Sequence, residues 1–203
     1  DRSKEGMEET VAGMPGGYSY SHQFDVSDRD AWDDALRIVA RAAGGRIDCV
    51  VNNAGISLGG PLIEYTTEEI DRIAAVNFLG VVYGAQAAYP YLKDTAPGSC
   101  LINTASAAAI HGMANQSLYG ATKAAVRSLT ESLDSEWAPD GIRVRSLAQP
   151  DAIAQQALPL RGEEAHLARE LRRLLAAVER GFGERRLVFI YREVPKLHLC
   201  NSF

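Results

Sequence analysis

The sequence predicts an α/β protein built on a parallel β-sheet. Short apolar runs, which are typical of buried strands, alternate along the chain with longer amphipathic stretches, which are typical of helices. Strands that alternate with helices form βαβ units, and the strands of such units lie parallel. The chain has 203 residues and 46% apolar content, which is enough to bury a sizeable core. We therefore expect residues 1–203 to form a single domain.

The first predicted strand and helix cover residues 18–25 and 30–43. The strand runs into a turn-forming Asp-Val-Ser-Asp sequence. Ser27 in that turn is expected to cap the helix, because a serine hydroxyl can accept a hydrogen bond from a free amide of the first turn. The pair Gly44-Gly45 ends the helix, since glycine readily adopts the left-handed conformation that follows a last turn.

The second strand and helix are predicted at residues 47–53 and 67–92. The middle of the strand is almost entirely apolar, as expected for a parallel strand that is covered on both faces. A glycine-rich loop over residues 55–60 follows it. Apolar residues at helical spacing then indicate one long helix that packs on the sheet.

The remaining predicted elements continue the alternation. Cys100–Ser106 forms a third strand, residues 118–137 a helix, and residues 142–147 a fourth strand. Beyond them, residues 163–180 read as a highly charged helix with leucines on one side, and residues 187–191 as an edge strand. We find no pattern there that indicates chemistry.

Composition excludes several classes of function. The net charge is −5 and no cluster of lysine and arginine occurs, so we expect no nucleic-acid or anionic-membrane partner. The apolar runs are shorter than a membrane span needs. The cysteines, Cys49, Cys100 and Cys200, are odd in number and form no Cys-x-x-Cys pair, which argues against a disulfide framework and against a zinc site. A reducing cytoplasm is the expected location.

The strongest chemical pattern is Tyr119 followed by Lys123 on a predicted helix. A spacing of four places both side chains on one face, one turn apart. A free tyrosine has a pKa of about 10. A neighbouring ammonium favours the phenolate and lowers that pKa, which makes the tyrosine a competent acid or base near neutral pH. Taken alone, such a pair is more often two surface neighbours.

Three further features lie where a parallel sheet presents its ligand crevice. Ser106 ends the third strand, and its hydroxyl could contact a carbonyl oxygen, although serine is also common in turns. The small residues that follow Asn53 would let the backbone approach a flat cofactor, or would simply form a tight loop. Asn77 lies inside an apolar helix, where an amide lowers helix propensity, so it is either exposed or bonded to a specific partner.

In combination, these residues resemble the short-chain dehydrogenase/reductase family. Ser106 precedes Tyr119 by thirteen positions, as the family pattern requires. The resemblance extends over residues 1–150, and it implies a Rossmann-like doubly wound parallel sheet and an oxidoreductase that moves hydride between a nicotinamide cofactor and an alcohol or carbonyl carbon. The residues that carry it, in order along the chain, are Asn52, Asn53, Ala54, Gly55, Asn77, Ser106, Tyr119 and Lys123.

The resemblance assigns a role to each catalytic position. Tyr119 would be the general acid or base, and Lys123 would lower its pKa and hold the nicotinamide ribose. Ser106 would stabilise the substrate oxygen as charge develops on it. Asn77 would position a water molecule that continues a proton relay from Lys123.

The resemblance also implies a set of cofactor contacts. Asn52 is expected to tie neighbouring strands together rather than to touch the cofactor. Residues 53–55, at and after the end of the second strand, would pack against the adenine-side ribose. Residues 25–26, in the turn after the first strand, would meet the adenine edge. With Tyr119 and Lys123, the expected cofactor-binding residues are Asp1, Asp25, Val26, Asn53, Ala54, Gly55, Pro150 and Ile153.

Asp1 indicates which cofactor is used. It stands twenty-four positions before Asp25, where the resemblance places the residue that meets the adenosine ribose. A carboxylate there would accept hydrogen bonds from both ribose hydroxyls of NAD and would repel the 2′-phosphate of NADP. Arg2 could pair with that phosphate, so NAD is favoured and NADP remains possible.

The chain departs from the family pattern at both ends. The family's Thr-Gly-x-x-x-Gly-x-Gly turn does not occur, so we expect a fold that is incomplete at the N-terminus and that exposes strand edges. Either the chain is a fragment of a longer enzyme, or a partner or a rearrangement fills the gap. Asp151 and Gln155 replace the usual residues after the fourth strand, and residues 151–203 are divergent. The alternative to an enzyme is therefore a truncated, non-catalytic relative that acts as a binding or dimerisation partner.

The substrate and the oligomeric state are predicted only in class. The residues of the loops at 56–62 and 107–114 have mostly small or apolar side chains, which favours an apolar alcohol or ketone as substrate. His111 could contact a polar group of this substrate. In the family, the two long helices form dimer and tetramer interfaces, so a homodimer or homotetramer is expected.

Overall fold

The structure, a computed structural model, describes residues 3–12, 21–149 and 187–190. From residue 29 to residue 149, its helices and strands alternate as the sequence predicts. None of the helices in these ranges is long and apolar enough to cross a membrane. The helices are α1 (Lys4–Ala12), α2 (Arg29–Ala42), α3 (Thr67–Ala74), α4 (Gly80–Asp94) and α5 (Ser117–Trp137), and the strands are β1 (Cys49–Asn52), β2 (Cys100–Ser106), β3 (Arg143–Gln149) and β4 (Leu187–Ile190).

The four described strands form one parallel sheet in the order β3-β2-β1-β4. Cys49 of β1 lies opposite Cys100 of β2, and Cys100 lies opposite Arg143 of β3. The predicted parallel α/β architecture is therefore confirmed. All strands point the same way, so their carboxyl ends meet at one edge of the sheet.

The edge of β1 that faces away from β2 is not exposed. It pairs in parallel with β4, from Cys49 opposite Leu187 to Asn52 opposite Ile190. Of the alternatives for the incomplete fold, a rearrangement is the one seen at this strand, because residues 187–190 occupy the position beside β1. The predicted strand at residues 187–191 is confirmed as an edge strand among those described.

Alternate residues of the strands pack on the two faces of the sheet. Val50 and Leu101 point into the larger core, where they meet apolar side chains of α2 and α4, including Trp32 and Leu92. Residues of opposite parity, such as Val51, form a smaller cluster on the other face. This two-sided burial explains why the strands read as continuous apolar runs.

The start of the chain differs from the prediction in three ways. A helix, α1, forms where the sequence predicts none. Residues 21–25 are not a strand, and residues 18–20 lie outside the described residues. Ser27 does not cap α2, because its hydroxyl and amide both donate to the Asp25 carboxylate, at 2.7 and 3.0 Å. Asp28 caps the helix instead, and its carboxylate accepts from the backbone amides of Asp30 and Ala31.

The predicted helix at residues 67–92 contains a feature that the periodicity did not reveal. Thr66 and Glu69 form a reciprocal capping box that starts α3. A π-helical turn, Ala75–Leu79, then joins α3 to α4. A π-turn inserts one extra residue into the hydrogen-bond pattern of a helix, and such turns often occur at functional sites. This one contains Asn77, one of the predicted catalytic residues.

A chain of buried polar side chains joins the sheet to α4 and α5. Asn52 donates to the Asn103 side chain at 2.9 Å and more weakly to the Val81 carbonyl at 3.4 Å. Asn103 in turn donates to Thr130 of α5 at 3.0 Å. The prediction that Asn52 ties neighbouring strands is confirmed. Gly84 makes room for this amide, since a Cβ there would overlap Asn52 Oδ1 and the Trp32 ring.

Replacing Gly84 with alanine should destabilise the fold. The added methyl gains helix propensity of roughly 1 kcal/mol, but it displaces two buried side chains, for which overpacking costs about 1–3 kcal/mol. We expect a net loss measured by urea unfolding. Gly112→Ala is the matched control, because nothing lies within 4 Å of a Cβ at that position. Equal stability of the two variants would contradict this account of Gly84.

Candidate active site

The predicted catalytic residues lie around the carboxyl ends of β1 and β2. β2 ends at Ser106, and the next residues form a 3₁₀ turn, Ala107–Ala109. The first turn of α5 packs directly on this turn. A Cβ at Gly120 would lie 3.1 Å from the Ala108 carbonyl oxygen, so the absence of a side chain permits this close approach.

Tyr119 and Lys123 occupy successive turns of α5, as predicted. The Lys123 Nζ lies 5.8 Å from the centre of the Tyr119 ring. Lys123 is buried, with 3% of its surface exposed, and Nζ donates to the Thr104 carbonyl at 2.9 Å. A buried ammonium is costly unless it is partnered, and the carbonyl of β2 provides that partner. The lysine is therefore held against the end of the sheet beside the tyrosine.

Asn77 is fully buried and bonded to specific partners. Its Oδ1 accepts from the Ile56 amide, and its Nδ2 donates to the Ile56 carbonyl, both at 2.8 Å. Nδ2 also donates to the Thr122 hydroxyl at 3.2 Å, and that hydroxyl donates to the Tyr119 carbonyl. The π-turn amide thus links the loop after β1 to the turn of α5 that carries the tyrosine.

Gly55 marks the point where these groups meet. A Cβ at this position would lie 3.4 Å from Lys123 Nζ and 3.5 Å from Asn77 Oδ1. The structure therefore brings together Gly55, Asn77 and Lys123, with Tyr119 one turn away. The polar atoms come from the π-turn and from α5, which the sequence alone placed only by their order along the chain.

Ser106 lies two residues after Thr104, whose carbonyl accepts from Lys123. It is buried at the last position of β2, and its Oγ accepts from the Ala108 amide at 3.1 Å. The serine thus acts as the cap of the 3₁₀ turn that contacts α5. This position places its hydroxyl at the same sheet edge as Lys123.

The predicted cofactor residues fall into two described groups. Asn53 accepts a 2.7 Å hydrogen bond from the Thr104 hydroxyl, and Ala54 beside it is buried. Asp25 holds the turn before α2, and the Val26 carbonyl accepts from the Trp32 indole at 2.9 Å. Val26 also packs on the first residue of α4, Gly80, one turn beyond Asn77.

The other predicted contacts, Asp1, Pro150 and Ile153, lie outside the described residues, as do Asp151 and Gln155. Within the ranges that the structure describes, no three His, Cys, Asp or Glu side chains are grouped to hold a metal ion.

Two threonines of the site were missed by the sequence reasoning. Thr104 uses its carbonyl for Lys123 and its hydroxyl for Asn53. Thr122 receives the Asn77 amide. Both threonines are buried. Thr104 interrupts an apolar strand and Thr122 directly precedes Lys123, and these two positions are the features of the sequence that could have identified them.

Comparison with protein families agrees with this geometry. Residues 1–157 match the family model described as short chain dehydrogenase. The match covers more than half of the chain, so the chain belongs to the short-chain dehydrogenase family. Its α/β fold with a parallel sheet is the Rossmann-like fold that the sequence predicted.

Individual relatives match most of the described chain. Meso-2,3-butanediol dehydrogenase of Serratia marcescens is 35% identical over 147 residues, which are 72% of this chain and 57% of that protein. The structure of NAD⁺-bound xylitol dehydrogenase matches with a TM-score of 0.68 and 26% identity, over 77% of this chain and 62% of that one. The NADPH-bound structure of a variant of ElxO matches with a TM-score of 0.66 and 27% identity, over 77% and 64%. The chain thus spans little more than half the length of the curated relative.

Removing the Asn77 amide should destabilise the chain. Asn77→Ala leaves the partly buried amide and carbonyl of Ile56 without their side-chain partner, and an unsatisfied group costs up to about 1–3 kcal/mol. Gln86→Ala is the control, because it removes an amide from an exposed position of α4. Urea unfolding of both variants gives the comparison. If Asn77→Ala were as stable as Gln86→Ala, Asn77 would not hold the loop.

Proposed function

We propose that this chain carries the catalytic centre of an NAD(P)-dependent oxidoreductase that interconverts an alcohol and a carbonyl compound. The observation that carries the proposal is the buried Lys123 ammonium, 5.8 Å from the Tyr119 ring at the carboxyl edge of a parallel sheet. Membership of the short-chain dehydrogenase family supports it.

Tyr119 is the proposed proton donor and acceptor. Its phenol donates a proton to the carbonyl oxygen in reduction and takes it back in oxidation. The positive charge of Lys123 stabilises the phenolate and so favours proton release near neutral pH. A nicotinamide cofactor, when bound, supplies or accepts the hydride.

Ser106 and Asn77 support this proton transfer in different ways. The Ser106 hydroxyl, at the end of β2, donates to the substrate oxygen as negative charge develops on it. Asn77 fixes the loop after β1 against α5 through Ile56 and Thr122, so that Gly55 stays beside Lys123. We propose that Asn77 also positions a water molecule that continues the proton relay from Lys123.

The residues at the edge of β1 fit a nicotinamide cofactor. Gly55 has no side chain to fill the space beside Lys123 Nζ, so a sugar hydroxyl can approach the ammonium there. Asn53 and Ala54 precede it at the same edge. We propose that Lys123 and Tyr119 hold the nicotinamide ribose, with Asp25 and Val26 at the adenine edge and Asp1, Pro150 and Ile153 completing the contacts.

We propose NAD rather than NADP as the preferred cofactor, because Asp1 would repel a 2′-phosphate. The matched structures include one bound to NAD⁺ and one bound to NADPH, so membership of the family does not determine which of the two cofactors is used. The substrate is proposed to be an apolar alcohol or ketone, and Ile110, which is exposed in the loop after β2, would contact it. A cytoplasmic homodimer or homotetramer completes the proposal.

Replacing Tyr119 with phenylalanine tests the mechanism. The variant loses the phenolic proton, so turnover should fall by about 10²–10⁴-fold, the range for general acid–base catalysis. Fluorescence titration should show NADH still bound. Tyr83→Phe, which removes a phenol from α4, is the matched control and should keep full turnover. Full activity of Tyr119→Phe would show that the assignment is wrong.

NADH binding by the unaltered chain separates the enzyme from its alternative. We expect NADH to bind more tightly than NADPH, and Asp1→Asn to narrow that difference because the variant no longer repels the 2′-phosphate. Both affinities are measured by fluorescence titration. A chain that binds neither nucleotide but associates with itself or another subunit would instead be the non-catalytic binding partner.

A further inference from the structure

Two cysteines that lie far apart in the sequence are neighbours in the sheet. Cys49 of β1 and Cys100 of β2 are register partners in a parallel ladder, so their side chains point to the same face. Adjacent strands are about 4.8 Å apart. A disulfide needs Cα atoms roughly 4.4–6.8 Å apart, a range that includes the spacing of adjacent strands. Both residues are present as thiols.

Cys100 packs against the small apolar cluster that contains Cys49. The neighbouring Cys100 thiol and burial raise the pKa of Cys49, and the nearby Asp48 carboxylate raises this pKa further. Cys49 therefore carries a protonated thiol at neutral pH. A raised pKa makes it a poor first nucleophile, since the thiolate is the reactive form.

Cys100 is the accessible member of the pair. It is partly exposed, whereas Cys49 is 1% exposed. On its other side, its register partner is Arg143 of β3, an exposed residue. A row of Cys49, Cys100 and Arg143 thus crosses three strands, with an oxidisable sulfur in the middle and a second sulfur beside it.

We propose that Cys49 and Cys100 form a redox-sensitive dithiol that closes to a cross-strand disulfide when it meets a peroxide. In the first step, the Cys100 sulfur attacks one peroxide oxygen, the O–O bond breaks, and Cys100 sulfenic acid and water form. In the second step, the Cys49 sulfur attacks the Cys100 sulfur, the S–O bond breaks, and a second water leaves. The two thiols lose two electrons and two protons in total, and the peroxide is reduced to water.

The dithiol is separate from the candidate active site. It lies at the amino ends of β1 and β2, whereas Ser106 lies six residues further along β2, at the carboxyl end. At the rise of a parallel strand, this is about 20 Å. The inference therefore does not rest on the proposed oxidoreductase activity, and it can fail or succeed independently.

Oxidation of the full chain tests the proposal. A Cys200→Ser chain retains only Cys49 and Cys100. It is treated with hydrogen peroxide, the remaining thiols are blocked with N-ethylmaleimide, and intact mass and peptide mapping are performed. We expect a monomeric product about 2 Da lighter than the reduced chain, with no maleimide, and a linked peptide pair that dithiothreitol separates. A doubly maleimide-labelled chain, or only sulfinic and sulfonic products, would overturn the proposal.

Valine variants provide the matched controls. Cys49→Val and Cys100→Val in the Cys200→Ser chain each leave one sulfur, and valine suits a buried strand. We expect no intramolecular disulfide in either valine variant. In Cys49→Val, we expect the remaining Cys100 to be oxidised irreversibly. Phenylarsine oxide, which bridges two neighbouring thiols, gives a second measurement on the unaltered pair. Binding of one arsenical per Cys200→Ser chain, with loss of binding in both valine variants, supports the proposal. Equal binding by the Cys200→Ser chain and the two valine variants overturns it.

Discussion

The burial of one ammonium group sets the geometry of the candidate active site. Lys123 leaves water almost completely and donates to the Thr104 carbonyl. An unpartnered charge in this position would cost more free energy than a small domain can spare. The helix must therefore lie where Nζ reaches the end of β2. Tyr119, one turn earlier, is fixed at the sheet edge by the same requirement.

The side-chain amide of Asn77 fixes the position of the loop after β1, as the Lys123 contact fixes that of α5. It satisfies both backbone groups of Ile56 and reaches α5 through Thr122. A π-turn widens the helix at this point, which changes the direction of the side chain relative to a regular α-helix. The helical irregularity and the polar contact are thus parts of one arrangement.

The sequence predicted the parallel architecture because the strands are buried on both faces and read as apolar runs. It also predicted the pairing of Tyr119 with Lys123, which depends only on helical spacing. It could not predict the π-turn, because the apolar stripe continues through Asn77 without a break. It placed the cap of α2 one residue too early, because Ser27 and Asp28 are both good caps and the choice depends on Asp25. Contacts such as that of Lys123 with Thr104 join distant segments, and local pattern does not encode them.

The pairing of β4 with β1 also has a consequence for how the chain folds. Cys49 and Leu187 are register partners although 138 positions separate them in the chain. Such a contact gives a high contact order, and closing a loop of this length is slow. During synthesis on the ribosome, β1 and β2 can associate long before β4 emerges. The pairing of β1 with β4 therefore forms only after residues 187–190 have been synthesised, and unpaired strand edges in a nascent chain favour aggregation.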